Sequence, residues 1–271
     1  MKKSTLLPQL LLLIVTLLGS LIGFFVRRAQ LANELLSDGS LAPGSYLHIV
    51  LTVLTFVLLA AFFALLLPLR RLTGYRAIFT AAPLLNGLQL VAAVGLVCGN
   101  VLLWIQGREP TTALATQSPV VSGALSAMLA PLGLLSAVCI AAFALLRLSG
   151  KKPSALLYML ASVYLVVRLI VCFQEWNTDP SIHDYCFQLL AAICAMLSFF
   201  QLAGFCLNRG KRRISLFWCL NAIVFCSITV ADTLAHGAMD ELLVNASLLL
   251  SIAVSSVQLL FPRGPEEKPA K

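Results

Sequence analysis

The hydrophobic positions of this chain fall into eight nearly unbroken runs, not into the spaced stripes of a water-facing helix or the alternation of a strand. The runs cover roughly residues 5–26, 46–69, 78–105, 119–146, 155–173, 185–207, 214–234 and 242–261. A hydrocarbon layer is about 30 Å thick and a helix rises about 1.5 Å per residue, so a span needs about 20 apolar residues. Each run meets that length. Open strands would leave backbone groups unpaired in lipid, and the runs lack the alternation of a barrel strand. The pattern therefore predicts an all-α, polytopic transmembrane bundle of about eight spans. Residues 1–261 form one domain, and 262–271, charged and rich in proline, form a tail expected to be disordered. The first run starts like a secretion signal, after Lys2 and Lys3. Its apolar stretch of about 22 residues exceeds the usual length of about 7–15, however, and Arg27 and Arg28 follow with no small-residue cleavage site. It reads as span one.

Composition agrees. Only 11% of the 271 residues are charged and 60% are hydrophobic, where a soluble domain carries roughly a quarter charged residues. The mean hydropathy is +0.95. The remaining charges are sorted by sign into alternate gaps. Fifteen of nineteen Lys and Arg fall on one side, including Arg70, Arg71, Arg76, Arg147, Lys151, Lys152, Arg209, Lys211, Arg212 and Arg213. Arg27, Arg28 and Arg108 fall on the other side with nine of eleven acids, and Arg168 lies inside a run. Basic loops resist translocation, so both termini are placed in the cytoplasm. The net charge of +8 is spread over short loops. It suits anionic lipid headgroups better than nucleic acid, which is not an expected partner.

Eight cysteines sit mostly within runs, without CxxC spacing, as small packing residues. Cys172 and Cys186 flank one outer loop and are the pair for which a disulfide is sterically conceivable. Small residues mark packing faces: Gly19 and Gly23 in span one, Gly87, Gly95 and Gly99 in span three, and two rows in span four, Gly123/Ala127/Pro131 and Gly133/Ala137/Ala141. These predict that span four is central and kinked at Pro131, and that Pro83 bends span three. Phe63, Phe143 and Phe200, each with a leucine two residues on, precede basic loops and hint at three tandem hairpins.

Arg168, in YLVVRLIVCF, is the one clear charge within a span. At the centre of a membrane helix an arginine costs about 2.5–3.5 kcal/mol, so it should face protein or water. It lies about five residues, roughly 7.5 Å, from the outer end of span five. Three readings stand open: a buried ion pair with Glu175, Asp184 or Asp232; snorkelling to the outer headgroups; and a site for a substrate anion. Asp232, His236 and Asp240 are spaced four and four, a stripe that can bind a divalent metal or pass protons, or simply line a wet interface. Gly237 interrupts that stripe. Asn86, Gln89, Asn100, Gln201, Asn221, Ser227 and Thr229 suit interhelical hydrogen bonds or a polar cavity. No span carries an acid near its midplane, which weakens a proton-pump reading.

Hydrolase, metalloprotease, nucleotide-binding and intramembrane aspartyl signatures are absent, and span seven has no lysine to hold a retinal. No catalytic residue, resident metal or cofactor is assigned, and with no catalytic motif the reading leans away from an enzyme, an intramembrane enzyme standing third behind a solute-binding protein and an accessory subunit. The segment RLIVCFQEWNTDPSIHDYCFQLLAAICAMLSFFQLAGF, followed by NRGKRR, resembles a family of bacterial multi-pass, eight-span membrane proteins of unknown function. The resemblance implies a topology and no activity, and it draws attention to Arg168, Trp176, Asp179, Pro180, Asp184 and Tyr185. The expected protein is thus an integral protein of a bacterial cytoplasmic membrane. It binds or passes a small solute near the outer ends of spans five to seven, with Arg168, Glu175, Asp184 and Asp232 as site residues. The alternative is a non-transporting accessory, sensory or scaffold subunit that docks another membrane protein.

Overall fold

A computed structural model describes residues 6–34, 45–70, 72–79, 82–106, 123–176 and 186–262, the side chains of 106, 123–127, 175 and 176 excepted. These residues are helical and contain no strand. In chain order the helices are α1 (Leu6–Glu34), α2 (Tyr46–Leu66), α3 (Tyr75–Ile78), α4 (Pro83–Gln106), α5 (Gly123–Leu148), α6 (Ala155–Trp176), α7 (Cys186–Cys206), α8 (Arg212–His236) and α9 (Met239–Leu260). All but α3 are long and apolar enough to cross a membrane. Their outward side chains are large and apolar, as at Leu17, Phe25, Phe56, Val91, Val138 and Phe173. Water could not solvate such a surface, so the chain is a multi-pass membrane protein.

Local chemistry sets the boundaries. Ser45 caps α2 by accepting from the His48 amide at 3.1 Å. The α8–α9 turn is closed by Gly237 at φ +68, a left-handed conformation that glycine adopts without a Cβ penalty. Asp240 and Glu241 fill the first turn of α9, where the helix dipole favours negative charge. The expected third span from residue 78 is interrupted. Proline disfavours helical geometry in the residue before it but suits a first helical position, so Pro83 opens α4 and does not bend it, and α3 stands apart as a single turn. In α5 the helix continues through Pro131. At the other boundary in question, α1 runs to Glu34, past the expected end at residue 26.

Helices α4 to α9 form a closed circuit in which each packs on the next and α9 returns to α4, while α1 and α2 pack on the outside of α8. The most enclosed span is α8, with 72% of its membrane window buried against 44% for α5. The expectation that span four is central therefore fails. Only one face of α5 meets protein, whereas α8 is held between α1 and α2 on one side and α7 and α9 on the other. Small residues still mark close approaches: a Cβ on Gly19 would meet Leu58, on Gly23 Ile228, on Gly95 Ser247 and on Gly99 Val244, but on Gly87 nothing. The three phenylalanines of the suspected repeat sit in unlike surroundings, Phe143 buried and Phe63 and Phe200 on the surface.

Among the described residues four arginines are buried, and each has partners of its own. Arg27, expected in an outer loop, lies within α1 with its Nε 2.5 Å from Asp232 Oδ1 of α8. Its Nη1 donates to Gln30 at 2.9 Å, and its guanidinium lies over the Phe187 ring of α7. Arg212 donates to the carbonyls of Leu259 at 2.7 Å and Leu260 at 2.9 Å, satisfying acceptors that the end of α9 leaves open. Arg147 is held without any acid. It donates to Tyr158 Oη at 2.5 Å, Gln258 Oε1 at 2.8 Å and Tyr75 Oη at 3.2 Å, and it faces the Phe79 ring at 4.2 Å. Burial raises the Tyr75 phenol above its ordinary range, against the opposing pull of Arg147, so the hydroxyl stays protonated.

Removing one member of a buried ion pair strands the other charge, at a cost of about 3–5 kcal/mol, whereas replacing both by apolar groups is often neutral. Arg27→Met should therefore lower the unfolding midpoint in detergent micelles sharply. The double variant Arg27→Met/Asp232→Leu should recover most of that loss.

Candidate functional site

Near the end of the bundle that carries Glu34, Asp232, Asp240 and Glu241, four helices of the circuit enclose a small cavity. Helix α6 contributes Leu165, Arg168, Leu169 and Cys172, α7 contributes Gln188, Leu189 and three alanines, α8 contributes Cys226 and Thr229, and α9 contributes Glu241, Asn245 and Leu248. Four-residue spacing explains the polar part, since Tyr164 and Arg168 share one face of α6 and Glu241 and Asn245 one face of α9. Ala191, Ala192 and Ala195 keep the α7 wall thin. The enclosed volume is about 30 Å³. One water needs roughly 10–15 Å³ by this measure, so the space suits about two waters or a solute of very few atoms.

Arg168 is 7% exposed, so it does not snorkel to the surface. Its Nη1 lies 3.4 Å from Tyr164 Oη and its Nη2 3.4 Å from Asn245 Oδ1, both at the far edge of hydrogen-bonding range. Behind Tyr164, its hydroxyl donates to Asn100 Oδ1 of α4 at 3.3 Å, and Asn100 Nδ2 donates to the Leu96 carbonyl at 2.8 Å. Glu241 is 6% exposed and within electrostatic reach of Arg168, yet no ion pair within 4 Å joins them. The site thus holds one cation and one carboxylate on opposing walls, with neutral hydrogen-bonding groups between.

The expected partners of Arg168 are mostly elsewhere. Asp232 belongs to Arg27, which corrects its placement as a lining charge: α1 extends far enough to bring a guanidinium to it before Arg168 can reach. Asp184 lies outside the described residues, as do Asp179, Pro180, Tyr185 and His183 and the side chains of Glu175 and Trp176. The Asp232–His236–Asp240 stripe is broken at Gly237. Its imidazole Nδ1 donates 2.7 Å to the Asp232 backbone carbonyl, capping α8, while Asp240 sits on α9. Among the described residues no group of three or more His, Cys, Asp or Glu is arranged to hold a metal. Cys172 lines the cavity and Cys186 opens α7. Of the polar residues picked from sequence, Asn100 supports the site, Thr229 lines it, and Asn221 and Ser227 bond to their own helix backbone.

Sequence reasoning missed Glu241, Asn245 and Tyr164. Counted as a loop acid, Glu241 is buried because α9 begins at Met239, immediately after a two-residue turn. The repeated four-residue spacing of polar groups was the available signal. No protein-family model, curated protein or solved structure matches the chain, so the site is interpreted on its own geometry.

Gly133 of α5 packs directly on the Asn100 amide, and a Cβ there would overlap it. Overpacking of this kind typically costs about 1–3 kcal/mol. Gly133→Ala should destabilise the protein by about that much in thermal unfolding. In the background of Asn100→Ala the same change should cost markedly less, because contacting residues do not add independently.

Proposed function

We propose that this protein binds a small anionic solute at Arg168 and passes it across the membrane through the interior of the α4–α9 circuit. The observation that carries this is a buried guanidinium facing a cavity with only long, neutral hydrogen bonds to hold it. An ionised donor placed so is costly in the membrane unless a partner is met there, and a solute oxyanion or halide supplies one. Glu241 competes for the same cation, so the solute displaces the field of a carboxylate as it enters. In this scheme both termini are cytoplasmic, and Asp232 acts in structure by holding α1 against α8. One observation favours instead a non-transporting accessory or sensory subunit. The cavity admits about two waters, and the far end of the circuit is filled by the Arg147 cluster.

Chloride, formate and bicarbonate are suitable probes for protein in lipid nanodiscs. A ligand at 100 times its Kd stabilises by about 2.7 kcal/mol, enough to shift a melting midpoint. At least one probe should raise the midpoint of the wild type, fail to do so in Arg168→Ala, and act more strongly in Glu241→Gln. A shift that survives in Arg168→Ala would place the site elsewhere. Binding without flux in proteoliposomes would favour the sensory role.

A further inference from the structure

The end of the bundle opposite Glu241 carries a large imbalance of charge. Arg70, Arg76, Arg147, Lys151, Lys152, Arg209, Lys211, Arg212 and Arg213 lie there, while every carboxylate among the described residues is at the other end. Arg147 and Arg212 are internally satisfied. Lys211 and Arg213 are not: Lys211 is exposed and its ammonium has no hydrogen-bond or ion-pair partner among the described residues, and Arg213 uses only its Nε there, donating 2.7 Å to the Leu69 carbonyl. Both line an open cavity of about 420 Å³ between the first turn of α8 and the segment leading to α3, with Leu72, Thr73, Arg212 and Ile214 as its other walls.

We infer that this cavity binds the phosphate headgroup of an anionic phospholipid. Its position fits, since α8 begins its membrane span at Arg212 and the cavity therefore opens at the level of the headgroups. Its chemistry fits as well. Lys211 and the Nη groups of Arg213 supply donors to phosphate oxygens, and Leu72 and Ile214 offer apolar contact to the glycerol and upper acyl carbons. A water-soluble phosphate would use the cations alone, whereas a lipid uses both. The bound lipid would brace the α2–α3 connection against α8, next to the Arg147 cluster that closes this end.

The test compares full-length protein in detergent micelles doped with phosphatidylglycerol, with phosphatidylcholine, or with inorganic phosphate, reading the melting midpoint and the lipids retained in native mass spectrometry. Phosphatidylglycerol should stabilise the wild type, and phosphatidylcholine and inorganic phosphate should not. Lys211→Gln alters an exposed side chain without partners among the described residues and should leave the fold intact while weakening phosphatidylglycerol binding roughly fivefold, the effect of one basic side chain at an anionic surface. Lys151→Gln, an exposed cation at the same end but outside the cavity, should leave it unchanged. Equal stabilisation by phosphatidylcholine, an equal response to inorganic phosphate, or equal losses in the two variants would each overturn the proposal.

Discussion

Everything in this bundle follows from the cost of a guanidinium in a solvent that cannot hydrogen-bond. Water would satisfy five N–H donors anywhere on a surface, but lipid satisfies none, so each buried arginine fixes the helices that must supply its acceptors. Arg27 ties α1 to α8 through a carboxylate and reaches α7 through a ring face. Arg212 ties α8 to α9 by taking the carbonyls that a helix end leaves unpaired. Arg147 gathers α3, α6 and α9 around α5 with phenols, an amide and aromatic faces, without a single acid. Three different chemistries meet one requirement, and in each the acceptors are near. Arg168 is the exception, with acceptors at the limit of range and a cavity beside it, and the proposed site rests on that departure from the rule.

The same constraint shapes the contact between α4 and α9. Gln89 donates to Ser251, and Gln258, which also accepts from Arg147, donates to Asn86 at 3.3 Å. Gly95 lies against Ser247 and Gly99 against Val244, so backbones approach closely where side chains are small. A polar seam thus runs along these two helices from the Arg147 cluster to Asn245 beside Arg168. Asn86 Nδ2 and Gln89 Oε1 are buried on that seam and have no protein partner. Interior polar groups are rarely left so, and an ordered water is the usual partner where there is room.

How much of this was legible beforehand depended on the length scale of the signal. The spans were, because twenty consecutive apolar residues state a membrane crossing almost without context. Arg168 was, because one cation in a long apolar run has no ordinary explanation. Arg27 was not: it sits at the end of a run, where a loop is the natural assignment, and the carboxylate that neutralises it is 205 residues away in sequence. Pro83 was misplaced for a related reason, since a proline in an apolar run can either bend a helix or begin one, and the choice is made by neighbours. Counting small residues pointed to α5 as central, yet a helix becomes central by having neighbours on all sides, which no property of its own sequence reveals. Glu241 was counted as a loop residue because the length of the α8–α9 turn was not known. Two residues more or fewer would have taken its carboxylate out of the cavity.

The two ends of the circuit now differ in kind. At the Arg147 end a cation is held by short bonds to groups that do not titrate near neutral pH, and stacking of Phe143 on Tyr158 at 4.5 Å leaves little room to move. At the Arg168 end the bonds are long, the walls include alanines, and an acid and a base face one another across space. Movement is cheap where few contacts must be broken. On the proposed function, a conformational change that admitted solute would therefore begin at Arg168, with the Arg147 cluster as the fixed point against which α6 and α9 shift. Both helices take part in each end, α6 through Tyr158 and Arg168, α9 through Gln258 and Asn245. A displacement at the loose end would thus run along the same two helices toward the tight one, where the Arg147 bonds resist it.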